Sequence, residues 1–345
     1  MILARTLLWL LVVGALSACG REAVYRQESF VFGTRVELSI AGQKEELARA
    51  AVAQVLREFD RLHRTYHAWQ PSEVSALNDA LAAGRTTQVS SEMAALLRDA
   101  QRLSRVSENL FDPGIGRLIA LWGFQSDDLP TTLPDAQKLA EWQASRPGIG
   151  DLTIDGQQVR SGKRSVALDF GGYLKGMALD RAAALLKAQG VQHALINIGG
   201  NVMALGTRNG EAWRVGIQHP RRPGALATLE LADGEAIGTS GDYQRYLEID
   251  GRRYCHLLDP RTAHPVMHTQ SLTVLIAPGA QTGTLSDVLS KPLFIAGPDW
   301  PRLARQLAVD QVLRVDAAGR LQVSAALQRR LIYVGKQAAD SEIIP

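Results

Sequence analysis

The apolar segments of this 345-residue chain are mostly short, and they come in clusters instead of alternating regularly with helices. Hairpin-length turns, such as the one at Asp250 and Gly251, separate several of them. Strands joined by hairpins pair antiparallel, whereas successive parallel strands need a crossover helix. The sequence therefore predicts an α+β protein with mixed, largely antiparallel sheets and packed helices. The predicted strands are 31–40, 194–198, 213–217, 226–231, 246–249 and 271–277.

Three longer segments carry apolar residues at helical spacing, which predicts helices over 44–66, about 91–106 and about 176–189. Gly190 is a stop signal directly after the third helix. The proline-rich stretch 130–150 is predicted to be a surface excursion. With 46% hydrophobic and 21% charged residues, the composition is that of a folded globular protein, as one large domain or two intimate ones.

The first residues have the features of an export signal. Arg5 precedes an apolar run from Leu7 to Leu16, which is about half the roughly 20 residues that a membrane-spanning helix needs. Residues 16–19, with the sequence LSAC, resemble a bacterial lipobox, so we expect cleavage before Cys19 and lipidation of that cysteine; a plain signal peptide is the alternative. The protein is expected to face the periplasm, anchored to a membrane. The predicted segments are a signal peptide (1–18), a lipid-anchored tether (19–27), the folded body (28–335) and a tail (336–345).

Several function classes lack their sequence fingerprints. A formal charge of +3 without a long basic run gives no support for nucleic-acid binding. The dinucleotide motif G-x-G-x-x-G, the phosphate-binding Walker A motif, the serine nucleophile motif G-x-S-x-G and the zinc motif H-E-x-x-H are all missing. Cys255 is the only cysteine left in the predicted body, so a disulfide framework is excluded, and we expect a buried, inert thiol.

Four segments concentrate Gly, Asp, Tyr, His and Lys beyond what turns require, although each one alone is more typical of structure than of function. Read in chain order, the notable residues are Gly33 and Thr34; Thr65, Tyr66, Ser72, Glu73, Ser75 and Asn78; Phe111, Asp112 and 121–124; Leu168, Asp169, Lys175, Gly176 and Asp180; 239–243; and His256, Asp259, Pro260 and Thr262. Together and in this order they resemble the ApbE-type flavin transferases, also called FAD:protein FMN transferases. The resemblance covers about residues 28–297.

The resemblance implies an enzyme that cleaves FAD at its pyrophosphate and attaches FMN to a Thr or Ser hydroxyl through a phosphoester, with release of AMP. It further implies Mg²⁺ as the metal and an acceptor protein that belongs to a membrane redox complex. Two alternatives are open: an extracytoplasmic lipoprotein that binds FAD without catalysis, and a metal-dependent FAD pyrophosphatase.

The resemblance also assigns site residues. His256 and Asp287 are the implied catalytic residues, and a neutral imidazole can accept the hydroxyl proton near pH 7. The implied metal ligands are Gly172 through its carbonyl, Asp287, and then Ser290 or Lys291. The implied FAD contacts are Phe32, Tyr66 as an aromatic plate for the isoalloxazine, Leu110, Phe111, Asp112, Asp169, Lys175 and His256.

The chain departs from the family pattern at Lys291, where the family usually has Thr. A protonated ammonium has no lone pair and cannot ligate a metal. Ser290 could serve instead, Lys291 could place its own charge on the phosphates or pair with Asp287, or the metal site could be lost. Pro292 is expected to disturb the local helix, and Ala263 stands where Gly is usual, which matters if that position needs a positive φ.

Overall fold

A computed structural model describes residues 24–335 and 341–344. The predicted signal peptide and Cys19 lie outside the described residues. Within them the helices are α1 Glu45–Tyr66, α2 Glu73–Ala82, α3 Ser91–Val106, α4 Gly116–Leu121, α5 Ala136–Ser145, α6 Leu174–Ala188, α7 Thr282–Ala296, α8 Trp300–Gln306 and α9 Ala325–Gln328. The strands are β1 Tyr25–Val31, β2 Thr34–Ala41, β3 Thr87–Gln88, β4 Leu152–Asp155, β5 Gln158–Ser161, β6 His193–Ile198, β7 Asn201–Leu205, β8 Trp213–Gln218, β9 Ala225–Leu231, β10 Ala236–Gly241, β11 Tyr246–Ile249, β12 Arg252–Cys255, β13 Leu258–Asp259, β14 His264–Pro265, β15 Thr269–Ile276, β16 Val312–Asp316, β17 Leu321–Ser324, β18 Ile332–Tyr333 and β19 Ser341–Ile344.

A nine-stranded sheet forms the centre, in the order β1-β2-β6-β7-β10-β15-β16-β17-β19. Its neighbouring strands pair antiparallel, except that β17 and β19 run parallel. Two three-stranded sheets, β18-β9-β8 and β3-β5-β4, and the hairpins β11-β12 and β13-β14 complete the described strands. The prediction of an α+β protein with largely antiparallel sheets is confirmed.

The central sheet is covered on both faces. One face packs against α1, α3, α6 and α7 in the largest apolar core, and the other packs against β8 and β9 in a second core. Every residue of β7 and β16 is therefore buried, whereas strands exposed on one side alternate. A third, smaller core around Trp122 and Trp142 joins α4 and α5 to β11 and β13.

The structure corrects three details of the predicted organisation. The predicted strand 31–40 is two strands, β1 and β2, joined by a turn in which Phe32 and Gly33 have φ values of 56° and 69°. The stretch 130–150 contains α5, which buries Leu139 and Trp142. The folded part also extends beyond 28–335, because β1 begins at Tyr25 and β19 pairs with β17.

Helix α7 continues through Pro292, so the disturbance expected from this proline does not end the helix. None of the helices in the described part of the chain is both long and apolar enough to cross a membrane.

Candidate functional site

Helices α6 and α7 cross at a contact that only glycine allows. A Cβ on Gly176 would lie 2.7 Å from Asp287 Cβ, and a Cβ on Gly283 would lie 2.6 Å from the Gly176 carbonyl oxygen. Because the backbones approach so closely, the Gly176 amide donates a hydrogen bond to Asp287 Oδ2, at 3.0 Å. This contact explains the glycine of the Lys175-Gly176 motif.

Asp180 fixes the start of α7 at the same crossing. Its Oδ1 accepts from the Gly283 amide at 2.7 Å, and its Oδ2 accepts from the Thr284 amide and hydroxyl at 2.8 and 2.7 Å. A carboxylate at a helix N-terminus satisfies amides that have no partner within the helix. The spacing K-G-x-x-x-D therefore sets the position of α7, and with it the position of Asp287.

Asp287 and Lys291 form an ion pair one turn apart on α7. Lys291 Nζ lies 2.6 Å from Asp287 Oδ1 and 2.7 Å from the Asp287 carbonyl oxygen. The Asp287 side chain is 1% exposed and that of Lys291 16%. Burial alone would raise the pKa of Asp287, but the charges of Lys291 and Lys175 and the hydrogen bonds from Lys291 and Gly176 hold it below the usual value. The carboxylate is therefore ionised and fully engaged.

These residues do not fit the metal site that the family resemblance implies. Lys291 Nζ occupies the position between the Asp287 carboxylate and carbonyl, and Asp287 Oδ2 is taken by Gly176. Ser290 is turned toward the sheet, because its hydroxyl donates to the Asp287 carbonyl and pairs with Ser240 at 2.8 Å. Over residues 24–335 and 341–344, no group of three His, Cys, Asp or Glu side chains could hold a metal ion.

Gly172 does converge on this place. A Cβ on Gly172 would lie 2.7 Å from Lys291 Cε and 3.8 Å from the Phe111 ring. The glycine lets the loop before α6 pass over the lysine side chain. The structure thus brings residue 172 and the Asp287 turn together, with the lysine between them.

His256 follows β12 and carries the arrangement of a general base. Its Nδ1 lies 3.0 Å from the Arg245 carbonyl oxygen, which can only accept, so the proton sits on Nδ1. The Nε2 lone pair has no hydrogen-bond partner within residues 24–335 and 341–344. Burial lowers the pKa of His256 to about 4. The hydrogen bond with the Arg245 carbonyl opposes this effect, and the charges of Lys175, Lys291 and Arg245 add smaller lowering effects. The imidazole is therefore neutral at pH 7.

Positive charges dominate the surroundings of His256. We call Lys175, Arg245, His256 and Lys291 the cationic cluster; the three cations all act on His256, and Lys175 and Lys291 also act on Asp287. The Nε of Arg245 is buried and has no hydrogen-bond partner within the described residues, while its Nη2 donates to the Ser126 carbonyl. A buried donor without a partner is costly unless a ligand satisfies it. The cluster is suited to an anionic ligand such as a phosphate.

The apolar residues predicted to bind FAD separate into two places. Phe111 stacks on Tyr173 with ring centroids 6.5 Å apart and contacts the Gly172 loop beside Lys291. Tyr66 and Leu110 are 1% and 4% exposed. Tyr66 also packs edge-on against Phe170. Its helix turns the ring of Tyr66 into the core, so the structure shows no exposed ring face for the predicted role as an aromatic plate.

A row of rings leads outward from the β1–β2 turn. Phe32 lies edge-on to His63 with centroids 5.8 Å apart, His63 contacts His67 at 5.0 Å, and His67 contacts Trp69 at 4.6 Å. Trp69 is 42% exposed. The charge of Asp169 acts on His67, which places this row near that carboxylate.

Asp112 and Asp169, both predicted to contact FAD, hold loops in place. Asp112 Oδ1 accepts from the amides of Gly114 and Ile149, at 2.7 and 2.8 Å, and burial raises the pKa of Asp112 to about 6. Asp169 accepts from the Gly171 amide through Oδ1 and from the Gln125 side chain through Oδ2. Oδ1 of Asp112 and both carboxylate oxygens of Asp169 therefore already have partners within the chain.

Sequence reasoning gave no role to several motif residues that prove to be anchors. Ser72 and Ser75 form a capping box at the start of α2, a pattern that the S-x-x-S spacing could have indicated. Asn78 accepts from the Leu168 amide and donates to the Leu168 carbonyl, 90 positions away, which no local signal announces. At Ala263 the φ value is 61°, so this position does adopt the conformation for which glycine is usual.

Arg245 was also missed as a functional candidate. It lies outside the matched motifs and enters the site only because the His256 amide and Nδ1 both bond to its carbonyl. The one sequence signal was its place just before the β11–β12 hairpin, at whose other end His256 lies.

The chain is similar to known proteins along most of its length. The model of the ApbE family matches residues 32–313. The FAD:protein FMN transferase of Rhodobacter capsulatus is 41% identical over 303 residues, which are 88% of this chain and 57% of that protein. An FAD:protein FMN transferase of Klebsiella pneumoniae is 31% identical over 82% of this chain and 81% of that protein.

A solved structure is similar over nearly its whole length. The crystal structure of the ApbE protein from Thermotoga maritima has a TM-score of 0.82 and 28% identity, covering 89% of this chain and 99% of that one. Because the family model matches most of the sequence and a solved ApbE protein shares the fold, the chain belongs to the ApbE family.

Proposed function

We propose that this protein is an FAD:protein FMN transferase, which cleaves the FAD pyrophosphate and joins FMN to a Thr or Ser hydroxyl of an acceptor protein. The observation that carries the proposal is a neutral His256, with a free Nε2, inside a cluster of Lys175, Arg245 and Lys291. The names of the relatives in Rhodobacter and Klebsiella support the same reaction.

Phosphoryl transfer requires neutralised phosphate charge and an attacking oxygen in line with the leaving oxygen. Lys175 and the unpartnered Nε of Arg245 supply positive charge and a hydrogen-bond donor for the phosphates. His256 Nε2 accepts the proton of the acceptor hydroxyl as its oxygen bonds to the FMN phosphorus. The bond from that phosphorus to the bridging oxygen breaks, and AMP leaves with the oxygen.

Magnesium belongs to the family expectation, and bound to phosphates it would supply further charge neutralisation. No step is assigned to it here, because the residues expected to hold it are engaged with Lys291.

The test uses residues 24–345 with FAD and an acceptor domain that carries a Thr flavinylation site. We expect a covalent, fluorescent flavin on the acceptor together with one AMP per flavin transferred. Asp287→Ala should abolish the signal, because Lys291 and the α6–α7 crossing lose their shared carboxylate. Glu45→Ala, which removes an exposed ion pair with Arg49 at the same i, i+4 spacing, is the control and should leave transfer unchanged.

Two other results would replace the proposal with its alternatives. Tight FAD binding without AMP release, with and without added metal, would identify a non-catalytic FAD-binding protein. Release of AMP and free FMN that is as fast without acceptor as with it would identify a pyrophosphatase, in which water takes the place of the acceptor hydroxyl.

We further propose that the protein is an exported lipoprotein, held through Cys19 to a membrane facing the periplasm, and that its acceptor is a subunit of a membrane redox complex. The apolar run before Cys19 and the lipobox-like residues 16–19 support this proposal. Metabolic labelling with a palmitate analogue should mark the full chain, and Cys19→Ser should remove the label. A label that persists in Cys19→Ser would contradict it.

A further inference from the structure

The turn of α7 at Asp287 already holds a cation. The Asp287 carboxylate and its own carbonyl oxygen are hard oxygen ligands of the kind that divalent cations prefer. Lys291 Nζ lies 2.6 and 2.7 Å from these two oxygens. The ammonium therefore sits where a metal ion would have to bind in order to use them.

The surroundings close this position to a second cation. Gly176 occupies the remaining oxygen of Asp287, and Ser290 donates to the same carbonyl as Lys291 does. The Gly172 loop lies against the lysine methylenes, so the side chain has little room to swing away. Lys175 adds another positive charge nearby, which would repel a divalent ion.

Two of the three Nζ hydrogens of Lys291 are used within α7, which leaves one for a ligand. Near it lie Lys175 and His256, the groups assigned to the FAD pyrophosphate and the acceptor hydroxyl.

We propose that Lys291 is a tethered cation that takes the place of the divalent metal beside Asp287, and that its remaining N–H contacts the FAD pyrophosphate. The chain would then bind and cleave FAD without a protein-bound metal ion at this position. The contact with FAD rests on the proposed function, whereas the exclusion of a metal does not.

Metal binding is the direct test, because it does not depend on turnover. Mn²⁺ is titrated into the protein with and without saturating FAD, and free Mn²⁺ is followed by electron paramagnetic resonance. Wild type should bind no Mn²⁺ beyond what FAD alone binds. Lys291→Thr restores a hydroxyl one turn after Asp287. This variant should bind one Mn²⁺ per chain, at least about tenfold more tightly than any Mn²⁺ bound by wild type. Adding Asp287→Asn to Lys291→Thr should remove this binding.

Arg320→Thr is the matched control. Arg320 pairs with Asp316 at the same i, i+4 spacing, and the Asp316 side chain is only 8% exposed, but the pair lies outside the site. This variant should gain no Mn²⁺ binding, which excludes the general effect of unpairing a buried carboxylate. Thermal unfolding of each variant verifies that it is folded.

Stoichiometric Mn²⁺ binding by wild type that Asp287→Asn abolishes would overturn the inference, even if Lys291→Thr fails to fold. A folded Lys291→Thr that gains no site would overturn it as well.

Transfer assays in excess chelator separate this inference from the proposed function. FMN transfer that persists in chelator supports both. Transfer that stops in chelator and returns with Mg²⁺ would overturn the metal-free role of Lys291 and leave the transferase function intact. No transfer under either condition, with no Mn²⁺ bound by wild type, would refute the function alone.

Discussion

Two groups of polar residues lie around α6 and α7, and they differ in how many of their hydrogen-bonding atoms already have a partner. The anchoring residues, Ser72, Asn78, Asp112 and Asp180, all bond to backbone groups. In the cationic cluster, Nε2 of His256 and Nε of Arg245 have no hydrogen-bond partner among the residues that the structure describes.

The comparison separates residues that hold the structure in place from residues that bind or act on a ligand. An anchoring residue fixes where a loop or helix begins, so its loss should lower the free energy of unfolding while FAD affinity stays unchanged in molecules that remain folded. A residue of the cationic cluster gains its partner only from the ligand, so its loss should change binding or rate with a smaller effect on stability.

The largest effect is expected at His256. His256→Ala should lower kcat for FMN transfer about 100- to 10,000-fold, because it removes the proton acceptor. His256→Asn, which keeps a donor close to the position of Nδ1, should be as slow. The Kd for FAD should change little, as measured by flavin fluorescence.

The pH profile of wild type sharpens the same point. With the pKa of His256 lowered to about 4, the imidazole stays in its neutral form from pH 8 down to about pH 5. Transfer should therefore be limited by His256 only when the pH falls through about 4. A loss of rate centred near pH 6.5 that is absent from His256→Asn would contradict this assignment.

Arg245→Gln should weaken FAD binding about 10- to 100-fold, which corresponds to the roughly 1.5–3 kcal/mol of a charge-assisted hydrogen bond. The matched control is Arg214→Gln, which removes an exposed arginine paired with Glu230 on a neighbouring strand. Titration of FAD into both variants measures the difference. Equal affinities would show that Arg245 serves only to hold the Ser126 loop.

The elements of the fold were largely predictable, because their signals are local. The predicted helices 44–66 and 91–106 agree with α1 and α3 within a residue, and the hairpin at Asp250 and Gly251 joins β11 to β12. The turn at Phe32 was missed because a phenylalanine at positive φ is rare.

The site was predictable only in part, for a physical reason. Residue types identify Lys175, His256 and Asp287 as able to do chemistry, but they do not show whose hydrogen bonds are already used. Asp112 is predicted to contact FAD, but no local pattern indicates that its Oδ1 accepts from the amides of Gly114 and Ile149, the latter 37 positions away. Such partners depend on tertiary packing, which no local pattern records.

Asp112 is the sharpest test among the anchoring residues. Asp112→Ala should lower the free energy of unfolding by about 1–3 kcal/mol, because the amides of Gly114 and Ile149 lose their acceptor. Asp112→Asn keeps that acceptor without a buried charge and should cost much less. Neither variant should alter the Kd for FAD; a selective loss of FAD affinity in Asp112→Asn would return this residue to the binding site.

The stability difference between wild type and Asp112→Asn should change with pH in a defined direction. The pKa of Asp112 is raised to about 6 from an ordinary 3.8, so between these values the folded state holds the proton more tightly than the unfolded state. The contribution of Asp112 to stability is thus present below pH 3.8 and is lost as the pH rises through 6. Denaturant unfolding should show that the free energy of unfolding of Asp112→Asn, relative to that of wild type, is higher at pH 7.5 than at pH 4.5.

The smallest effect is expected at Ser72, whose hydroxyl caps α2 by accepting from the Ser75 amide at 3.0 Å and donates to the His67 carbonyl at 2.6 Å. Ser72→Ala should lower the free energy of unfolding by about 1 kcal/mol, the usual cost of a lost N-cap. Ser72→Thr keeps both bonds and should restore most of it. Because this serine is an anchor, kcat and the Kd for FAD should stay at their wild-type values in both variants. Slower transfer by Ser72→Ala without a loss of stability would contradict the assignment of Ser72 as an anchor. It would indicate that Ser72 acts on the reaction through the neighbouring rings of His67 and Trp69.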